Sequence, residues 1–490
     1  MIQKQRNRMR IEYLVGVMLL LLACQTVNSQ QTPGVPPPDT ARPTPLRVIT
    51  ATSPATDSAA QPDTPVQLQP RPAKSSAPGI ACVGTDKAGV LCLENDKWVE
   101  YSRRKDTLSS DYIRASAVCP DGRIVVAHGS GISIYTDRAW DEFAGGWGYA
   151  SAEAVTCDLD GGLWVAHFEG ASRYDDRRWT TYWAGTDFDS DEPVSDLIRD
   201  VAIAPSGDVW IVAADSVVRL HDEQWTVYRE GQGFDSYVSF EKLAIAPDGR
   251  VWVAGSRGAF VFDGEEWRTY ETTALYSPKA LVIDDQGRVW VGTFNDGIHV
   301  LKSGEWRRYN VANGSLSSDK IRAMEIDGRG RIWVATEWGL NIFSDNEWRS
   351  YRMDNTDMTE HNLVSLGVVD GGPTTIPTIE KAPGSMSGRI VDKSGTPLTG
   401  LSLELCVERL RSYSADVTPC TGQVFIRTTQ TTAEGGFRFE ALPPGYYVIT
   451  VQYEEEWIQI RTPVGMNSER YLVTENENTY TGEFILIPNE

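Results

Sequence analysis

Residues Gly330–Tyr351 read GRIWVATEWGLNIFSDNEWRSY, and this stretch decides the fold. Arg331–Thr336 alternates in polarity, Gly339–Phe343 follows a tight turn, and Glu347–Tyr351 follows an Asp-Asn turn. Period-two alternation bounded by Gly, Asn and Asp is typical of strands joined by tight turns. The stretch therefore predicts three antiparallel β-strands in a row.

The chain repeats this pattern at intervals of about 40 residues. The outermost strand of each repeat carries Trp-x-x-aromatic, at Trp98/Tyr101, Trp140/Phe143, Trp179/Tyr182, Trp225/Tyr228, Trp267/Tyr270, Trp306/Tyr309 and Trp348/Tyr351. A fourth, innermost strand precedes each Gly-x-x-Trp run, and an Asp/Pro-x-x-Gly turn joins the two. Four short strands per repeat at this period are typical of β-propellers. We predict an all-β chain with a seven-bladed β-propeller over residues 79–371.

The first repeat supplies only three strands, at Ala81–Thr85, Gly89–Leu93 and Lys97–Tyr101. We expect residues 362–369 to provide its missing innermost strand, because closing the ring removes free sheet edges. Both chain ends would then leave the face with the Asp-x-x-Gly turns. The opposite face, named the distal face here, would carry the longer connections between blades and point away from any N-terminal anchor.

The repeat resembles the two-component regulator propeller repeat. The resemblance rests on Asp327-x-x-Gly-Arg-Ile-Trp-Val-Ala-Thr-x-x-Gly-Leu, preceded by Leu316-Ser-Ser-Asp-Lys-Ile-Arg-Ala. Such repeats occur in the external sensory regions of bacterial hybrid histidine kinases. This sequence lacks a kinase core and a spanning helix after the propeller, so the resemblance implies stand-alone binding in place of direct signalling.

After a Pro/Thr-rich linker (372–385), residues 386–490 alternate as short strands between Gly and Pro turns, which predicts a small antiparallel β-sandwich. Ser387-Gly-Arg-Ile-Val-Asp392, Gly436-Phe-Arg-Phe and Leu442-Pro-Pro-Gly-Tyr-Tyr-Val resemble the carboxypeptidase regulatory-like (transthyretin-like) domain. The resemblance implies an accessory module without catalysis of its own.

The N-terminus has the features of a targeting segment. A basic start and a short apolar run lead to Leu21-Leu22-Ala23-Cys24, which resembles the lipobox of bacterial lipoproteins. We predict a signal peptide over residues 1–23, lipidation of Cys24, and a disordered tether over residues 24–78. The tether holds 12 of the chain's 26 prolines between residues 25 and 78 and no aromatic residue. An uncleaved signal anchor is the alternative, although the apolar run is short for a membrane span.

The targeting segment predicts a location outside the cytoplasm, in the periplasm or at the cell surface, and the cysteine count is consistent with this. The net charge of −21 argues against nucleic acid as a partner. Six cysteines remain beside Cys24, and an even number permits disulfides in an oxidising compartment. We predict the bridges Cys82–Cys92 and Cys406–Cys420; the pairing of Cys119 and Cys157 stays open.

Two histidines occupy equivalent positions in neighbouring repeats. His128 and His167 each end a Val-Ala-His strand, where other repeats have Thr85, Thr293 and Thr336. Equivalence predicts that these side chains lie at the distal mouth of the central channel. There, two imidazoles could share a metal or a ligand carboxylate. The alternative is a set of tolerated polar residues at a wet rim.

Two further features concern ligands. Asp187, Asp189 and Asp191 alternate as Ca²⁺ ligands do, but the loop fails the EF-hand pattern, so an acidic solvated loop is the alternative. We expect no other cofactor. Trp183 and Trp338 stand in loops or strand ends where they could stack on sugars or peptides, or else pack between blades.

Motifs for hydrolase or nucleotide chemistry are absent from the sequence. The prediction is a membrane-anchored binding protein of sensory or scaffold type, whose propeller takes a protein, peptide or glycan ligand. The alternative is an extracytoplasmic hydrolase or lyase that acts on a polysaccharide or peptide at the channel mouth.

Overall fold

The computed structural model describes residues 50–51, 80–105, 107–119, 121–136, 139–144, 152–158, 160–175, 178–184, 195, 197–234, 236–369, 372–407, 418–421, 425–453, 456–460 and 470–486. The predicted signal peptide, Cys24 and nearly all of the tether lie outside these residues. Within them the chain is built of strands, with one short 3-10 helix at Arg103–Lys105. The predicted all-β fold is confirmed.

Seven sheets of the described residues share one order, in which strands named a to d run from the centre of the ring outward. The strands are Leu363–Val368, Ala81–Thr85, Val90–Glu94 and Lys97–Tyr101 in blade 1; Ile113–Val118, Ile124–His128, Gly131–Thr136 and Ala139–Ala144 in blade 2; Ala152–Cys157, Leu163–His167, Gly170–Asp175 and Arg178–Trp183 in blade 3; Ile198–Ile203, Val209–Ala213, Val217–His221 and Gln224–Glu230 in blade 4; Phe240–Ile245, Val251–Gly255, Gly258–Phe262 and Trp267–Glu271 in blade 5; Pro278–Ile283, Val289–Thr293, Ile298–Lys302 and Glu305–Tyr309 in blade 6; and Ile321–Ile326, Ile332–Thr336, Gly339–Ser344 and Glu347–Tyr351 in blade 7. Two-residue strands, Thr50–Ala51 and Gly233–Phe234, extend the outer edges of blades 3 and 4.

The Asp-x-x-Gly turn explains why the repeat motif pairs Asp with Arg and Trp. One carboxylate oxygen of Asp327 accepts the backbone N–H groups of Arg329 and Arg331, at 2.9 and 3.0 Å. The other accepts the side chains of Arg331 and Trp333, at 2.7 and 2.8 Å. A single buried carboxylate thus holds the a–b turn and fixes the indole between blades.

The ring is closed by two distant parts of the chain. Leu363–Val368 pairs antiparallel with Ala81–Thr85, and Val83 lies directly opposite Leu366 in this register. This is the strand expected at residues 362–369, and it leaves no free edge at the channel side of blade 1.

Three disulfides join cysteines of the described residues. Cys82–Cys92 links strands b and c of blade 1, and Cys406–Cys420 lies in the C-terminal module, as predicted. Cys119–Cys157, the pair that the sequence left open, connects the inner strands of blades 2 and 3.

The C-terminal module contains eight strands in two sheets around one core. One sheet has the order Gly436–Leu442, Gly384–Val391, Asn478–Ile485; the other has Ile426–Gln430, Ser402–Cys406, Gly445–Tyr453 and Glu456–Ile460, with Tyr471–Val473 also on Gly445–Tyr453. This arrangement is consistent with the predicted sandwich. It is not wholly antiparallel, because Gly384–Val391 and Asn478–Ile485 run parallel.

The linker that follows Leu363–Val368 is packed against the ring, and it crosses from one face of the ring to the other. The Pro373 carbonyl accepts a bond from Arg331, beside the a–b turn of blade 7. Ile376 is buried between blades 7 and 1. The backbone N–H of Ile379 then bonds the carbonyl of Asn355, which belongs to the d–a connection on the distal face. The sandwich therefore lies on the distal face and not on the face from which the linker departs.

The sandwich contacts blades 7 and 1 through aromatic and charged residues. Trp338, in the b–c turn of blade 7, is part of the sandwich core and packs against Tyr447 with ring centroids 5.9 Å apart. Arg470 forms two hydrogen bonds to the buried carboxylate of Glu360, at 2.8 and 3.2 Å. The guanidinium of Arg470 also lies 4.8 Å from the ring centroid of Tyr446. The module is therefore docked on the ring by specific contacts.

Candidate functional site

The two equivalent histidines are used inside their own blades. Nε2 of His128 lies 2.8 Å from Oγ of Ser133, and Nε2 of His167 lies 3.0 Å from Oγ of Ser172. Both imidazoles are almost fully buried, and burial lowers the pKa of His128 and lowers that of His167 to about 4. Each ring turns toward strand c of its blade. The expectation that both line the open channel mouth is therefore wrong.

The equivalent threonines hold the b–c turns. Thr85, Thr293 and Thr336 are fully buried, and each hydroxyl donates to the carbonyl of a glycine that begins or precedes strand c. Each hydroxyl oxygen also accepts a backbone N–H of the turn, at 2.8 to 3.1 Å. His128 has the same role, since its Nδ1 accepts the N–H of Ser130. This position in the repeat is a turn cap, so these side chains are not offered to a ligand.

Of the remaining candidate ligand-binding residues, the two tryptophans are buried or half-buried, and the three aspartates lie outside the described residues. Trp338 is buried in the sandwich core, so its predicted role as an exposed stacking residue is wrong. Trp183 is half-buried, with its ring 6.1 Å from that of His167. Asp187, Asp189 and Asp191 lie outside the described residues. In the described parts of the chain, no cluster of three or more His, Cys, Asp or Glu side chains has a geometry suited to a metal ion.

A charged belt surrounds the distal end of the channel. In every blade the pairing of strands a and b shifts register at the second residue of strand a, which forms a bulge. In blades 1, 2, 3, 6 and 7 this residue lines the channel cavity. In blades 2 to 7 that residue is charged, in the order Arg114, Glu153, Arg199, Glu241, Lys279 and Arg322; in blade 1 it is Val364. These six charged residues are called the belt below. Sequence analysis missed them, although aligning the repeats displays the alternation of sign from blade 2 to blade 6.

Two ion pairs join the inner strands of neighbouring blades. Nζ of Lys279 lies 3.3 Å from Oε2 of Glu241. One residue deeper, Nζ of Lys242 lies 3.6 Å from Oδ2 of Asp200. Burial raises the pKa of Asp200, and the charge of Lys242 opposes this effect. Ion pairs across blade boundaries hold inner strands together where no backbone hydrogen bonds connect them.

The belt opens into a cavity of about 240 Å³. Its charged lining consists of Arg114, Glu153, Asp200, Lys242, Lys279, Arg322 and Glu325. Glu325 is partly buried and deepest in the channel, and burial raises its pKa to about 8. At neutral pH this carboxyl is mainly protonated, so basic groups outnumber ionised acidic groups in the lining.

Exposed aromatic rings occur on the same face of the propeller. The exposed large apolar side chains among the described propeller residues are Tyr112, Phe168, Tyr237 and Tyr276, with 51, 53, 59 and 75% of their surface accessible. Tyr112, Tyr237 and Tyr276 lie in d–a connections, and Phe168 lies in a b–c turn. All four therefore belong to the distal face. Exposed aromatic rings supply contact area for surfaces that bind other molecules.

These features define the class of protein: an all-β chain with a propeller that has charged side chains around its channel and exposed aromatic side chains on its distal face. Residues 315–338 match the family model of the two component regulator propeller, which agrees with the predicted type of repeat over this segment. No curated protein sequence matches the chain significantly. The described residues contain no helix with the length and apolar character that crossing a membrane requires.

Solved structures with similar folds belong to proteins of different kinds. A streptogramin B lyase is 17% identical, with a TM-score of 0.44, covering 53% of this chain and 88% of its own. PorZ, a bacterial surface component of the type-IX secretion system of Porphyromonas gingivalis, is 13% identical with a TM-score of 0.43. The match covers 79% of this chain and 63% of PorZ. The extracellular domain of a protein assigned as a hybrid two component system of B. thetaiotaomicron is 10% identical with a TM-score of 0.29. The match covers 82% of this chain and 83% of that domain. These similarities concern the fold.

Proposed function

We propose that this chain is a lipid-anchored extracytoplasmic protein whose propeller binds a protein, peptide or glycan at its distal face, in a non-catalytic sensory or scaffold role. The observation that carries the proposal is the position of the exposed aromatic rings. Tyr112, Phe168, Tyr237 and Tyr276 all belong to the face at which the charged belt opens. Rings of this kind supply large contact areas at low cost in conformational entropy.

The path of the chain supports presentation of this face to the exterior. The carbonyl of Ile80 bonds the backbone N–H of Val369 at the end of strand a, so the N-terminal segment enters blade 1 from the face opposite the distal one. A lipid on Cys24 would place the membrane on that side.

The docked sandwich supports an accessory role for that module. Its described contacts are with blades 7 and 1, through Trp338, Glu360 and His361. The aromatic rings named above belong to blades 2, 3, 5 and 6 or to the connections leading into them. The sandwich therefore forms one wall beside the mouth and leaves that aromatic surface accessible.

Incubation of the purified full chain with peptide and glycan arrays tests the proposal, with both retention and product formation recorded. We expect retention without turnover, and we expect Tyr276→Ala and Tyr237→Ala to weaken it at least fivefold. Tyr480→Ala is the matched control, because Tyr480 is an equally exposed ring on the sandwich. Equal loss from Tyr480→Ala would refute the distal site. Product formation would instead establish the hydrolase or lyase alternative.

A further inference from the structure

A cleft lies between the ring and the sandwich, beside the linker. Three segments form its walls: Asp354 and Asn355 of the connection from blade 7 to blade 1, linker residues between 378 and 383, and Pro443 and Pro444 of the sandwich. Its volume is about 710 Å³, within the roughly 300–1,000 Å³ that is usual for ligand sites. Such sites occur preferentially where two domains meet.

Hydrogen bonds fix the linker wall of the cleft against the ring. The backbone N–H of Ile379 donates to the carbonyl of Asn355 at 2.8 Å. Nζ of Lys381 donates to the carbonyl of Met353 at 2.7 Å. The cleft is therefore already formed, and a ligand would not have to order this segment on binding.

Part of the cleft lining is apolar. Ile379 is a large apolar side chain with 45% of its surface accessible. The rings of Pro383, Pro443 and Pro444 line the same space, and proline offers no backbone donor. Covering apolar surface of this kind is favourable, so this part of the cleft suits the aliphatic portion of a ligand.

The polar side chains of the cleft offer an acceptor and few donors. Nζ of Lys381 is bonded to the Met353 carbonyl, and Nδ2 of Asn355 donates to the carbonyl of Ser350 at 2.9 Å. The carboxylate of Glu380, by contrast, is exposed and forms no hydrogen bond or ion pair with a described residue. An ionised carboxylate only accepts hydrogen bonds, so the complementary ligand group is a positively charged donor.

Further acidic side chains lie near the cleft. Burial lowers the pKa of Lys381, and nearby carboxylates oppose this effect. They belong to Glu475, Asp357 and Asp354. Asp354 is bonded to Arg352 at 2.9 and 3.0 Å, which leaves the other two carboxylates and the exposed glutamate of the linker against one lysine. The cleft therefore favours a cation, as does the chain as a whole with its net charge of −21.

We infer that this cleft binds an extended peptide segment of a partner protein through a lysine or arginine side chain, with the cation at Glu380 and the aliphatic stem against Ile379. Long basic side chains suit both features, because they bury an apolar stem and keep the charged head at a polar rim. The cleft is larger than one side chain, and its prolines call for apolar groups beside the cation. A peptide supplies such groups, whereas a free amine does not.

This inference goes beyond the proposed function. The cleft lies beside blades 7 and 1 and includes none of the four exposed aromatic rings of the distal face. The sandwich supplies one of its walls, so the C-terminal module would take part in binding.

Isothermal titration of the full chain with matched peptides tests the inference. The probes are acetyl-Leu-Lys-Leu-amide and its counterpart with glutamine in place of lysine, with butylamine as the free amine. We expect the lysine peptide to bind about fivefold more tightly at low ionic strength, as a partly exposed ion pair allows. The difference should fall below about twofold at roughly 1 M salt, where the charges are screened.

Three results would overturn the inference. Equal affinity of the two peptides at low salt would show that no cation is recognised. Absence of binding by the lysine peptide at about 5 mM would show that the cleft does not take such a segment. Butylamine binding as tightly as the lysine peptide would show that the ligand is a free amine.

Variants of exposed residues locate the site without disturbing the core. Glu380→Gln should weaken the lysine peptide about fivefold and leave the glutamine peptide unchanged. Glu265→Gln is the matched control, because Glu265 is also an exposed carboxylate, in the c–d turn of blade 5, and should change affinity by less than about twofold. Equal losses from these two variants would refute the site.

The apolar part of the cleft has its own pair of variants. Ile379→Ser should weaken both peptides alike, by about threefold or more, because apolar contact area is lost. Ile485→Ser is the matched control, since Ile485 is an exposed isoleucine of the sandwich with 59% of its surface accessible. A loss from Ile485→Ser equal to that from Ile379→Ser would refute the apolar contact.

Tyr276→Ala separates this site from the aromatic surface of the proposed function. It should leave the affinity for the lysine peptide within about twofold, because sites that share no residues act independently. A loss as large as that from Glu380→Gln would place the peptide at the aromatic surface and overturn the cleft site. If array ligands are not retained while the lysine peptide binds as expected, the proposed function fails and the cleft site stands.

Discussion

Removing Arg470 should undock the sandwich from the propeller. Glu360 is 1% exposed and accepts two bonds from this guanidinium, at 3.2 and 2.8 Å. Arg470→Met keeps much of the side-chain volume but leaves a buried carboxylate without its cation. Breaking a buried ion pair on one side costs about 3–5 kcal/mol. Because Arg470 retains some solvent contact, we expect a loss of about 3 kcal/mol at pH 7.

The loss should depend on pH with a definite sign. Burial raises the pKa of Glu360, but the charge of Arg470 and that of His361 outweigh this effect, so its folded pKa lies below the usual value. The pair therefore stabilises the fold above the unfolded pKa of about 4.3, and the contribution is lost as pH falls through the folded pKa. In Arg470→Met burial dominates, and the carboxyl is protonated on folding. The difference between wild type and variant should shrink to less than about 1 kcal/mol near pH 4.

Urea unfolding of the full chain, followed by tryptophan fluorescence and circular dichroism at several pH values, measures this effect. Trp338 lies at the interface, so its emission reports undocking. Arg470→Met with Glu360→Gln should recover most of the stability, because no buried charge remains. Arg389→Met is the surface control, since the Arg389–Glu483 pair is 39 and 45% exposed and worth at most about 1 kcal/mol. A loss from Arg470→Met that equals the control, or that does not change with pH, refutes the reasoning.

Three further predictions concern other parts of the chain. Truncation after Arg352 removes strand a of blade 1 and should abolish cooperative unfolding, whereas truncation after Ile379 should leave a folded ring, as judged by calorimetry; equal stability of both products would contradict the closure. Glu325→Gln should stabilise the fold by roughly 1–3 kcal/mol at pH 8 and by little at pH 4, because the raised pKa of Glu325 makes the native state lose stability as pH rises from about 4.3 to 8; a pH-independent effect in urea melts would contradict this. Cys24→Ser should move the protein from the detergent phase to the aqueous phase, and a wild type already found in the aqueous phase would contradict lipidation.

The repeat architecture could be predicted because its determinants are local. The Asp327 turn, the adjacent Trp333 strand and the closing Trp-x-x-Tyr351 strand lie within one short stretch, and antiparallel pairing of neighbours follows from alternation and turn residues. The closure by Leu363–Val368 could also be predicted, because counting strands per repeat shows which one is missing. The bridge Cys82–Cys92 follows from the same register.

The direction of side chains was harder to predict. Sequence equivalence places His128 and His167 correctly at the ends of their strands, but it does not say whether they turn toward the channel or toward strand c. Burial and the hydroxyls of Ser133 and Ser172 decide for the blade interior. The charged belt could have been found from aligned repeats, whereas the burial of Trp338 in the sandwich core is visible only in three dimensions.

The sequence by itself determined an all-β chain, the repeating blades and their closure, since these depend on periodicity and on contacts that each repeat makes again. Only the tertiary structure decided where the C-terminal module sits. Glu360 and Arg470 are separated by 110 residues, and no periodic pattern connects them. Their contact depends on the linker packing Ile376 between blades and delivering the sandwich to the distal face. Trp338 is consequently a core residue, because a surface that one repeat leaves exposed is covered by a module folded elsewhere in the chain.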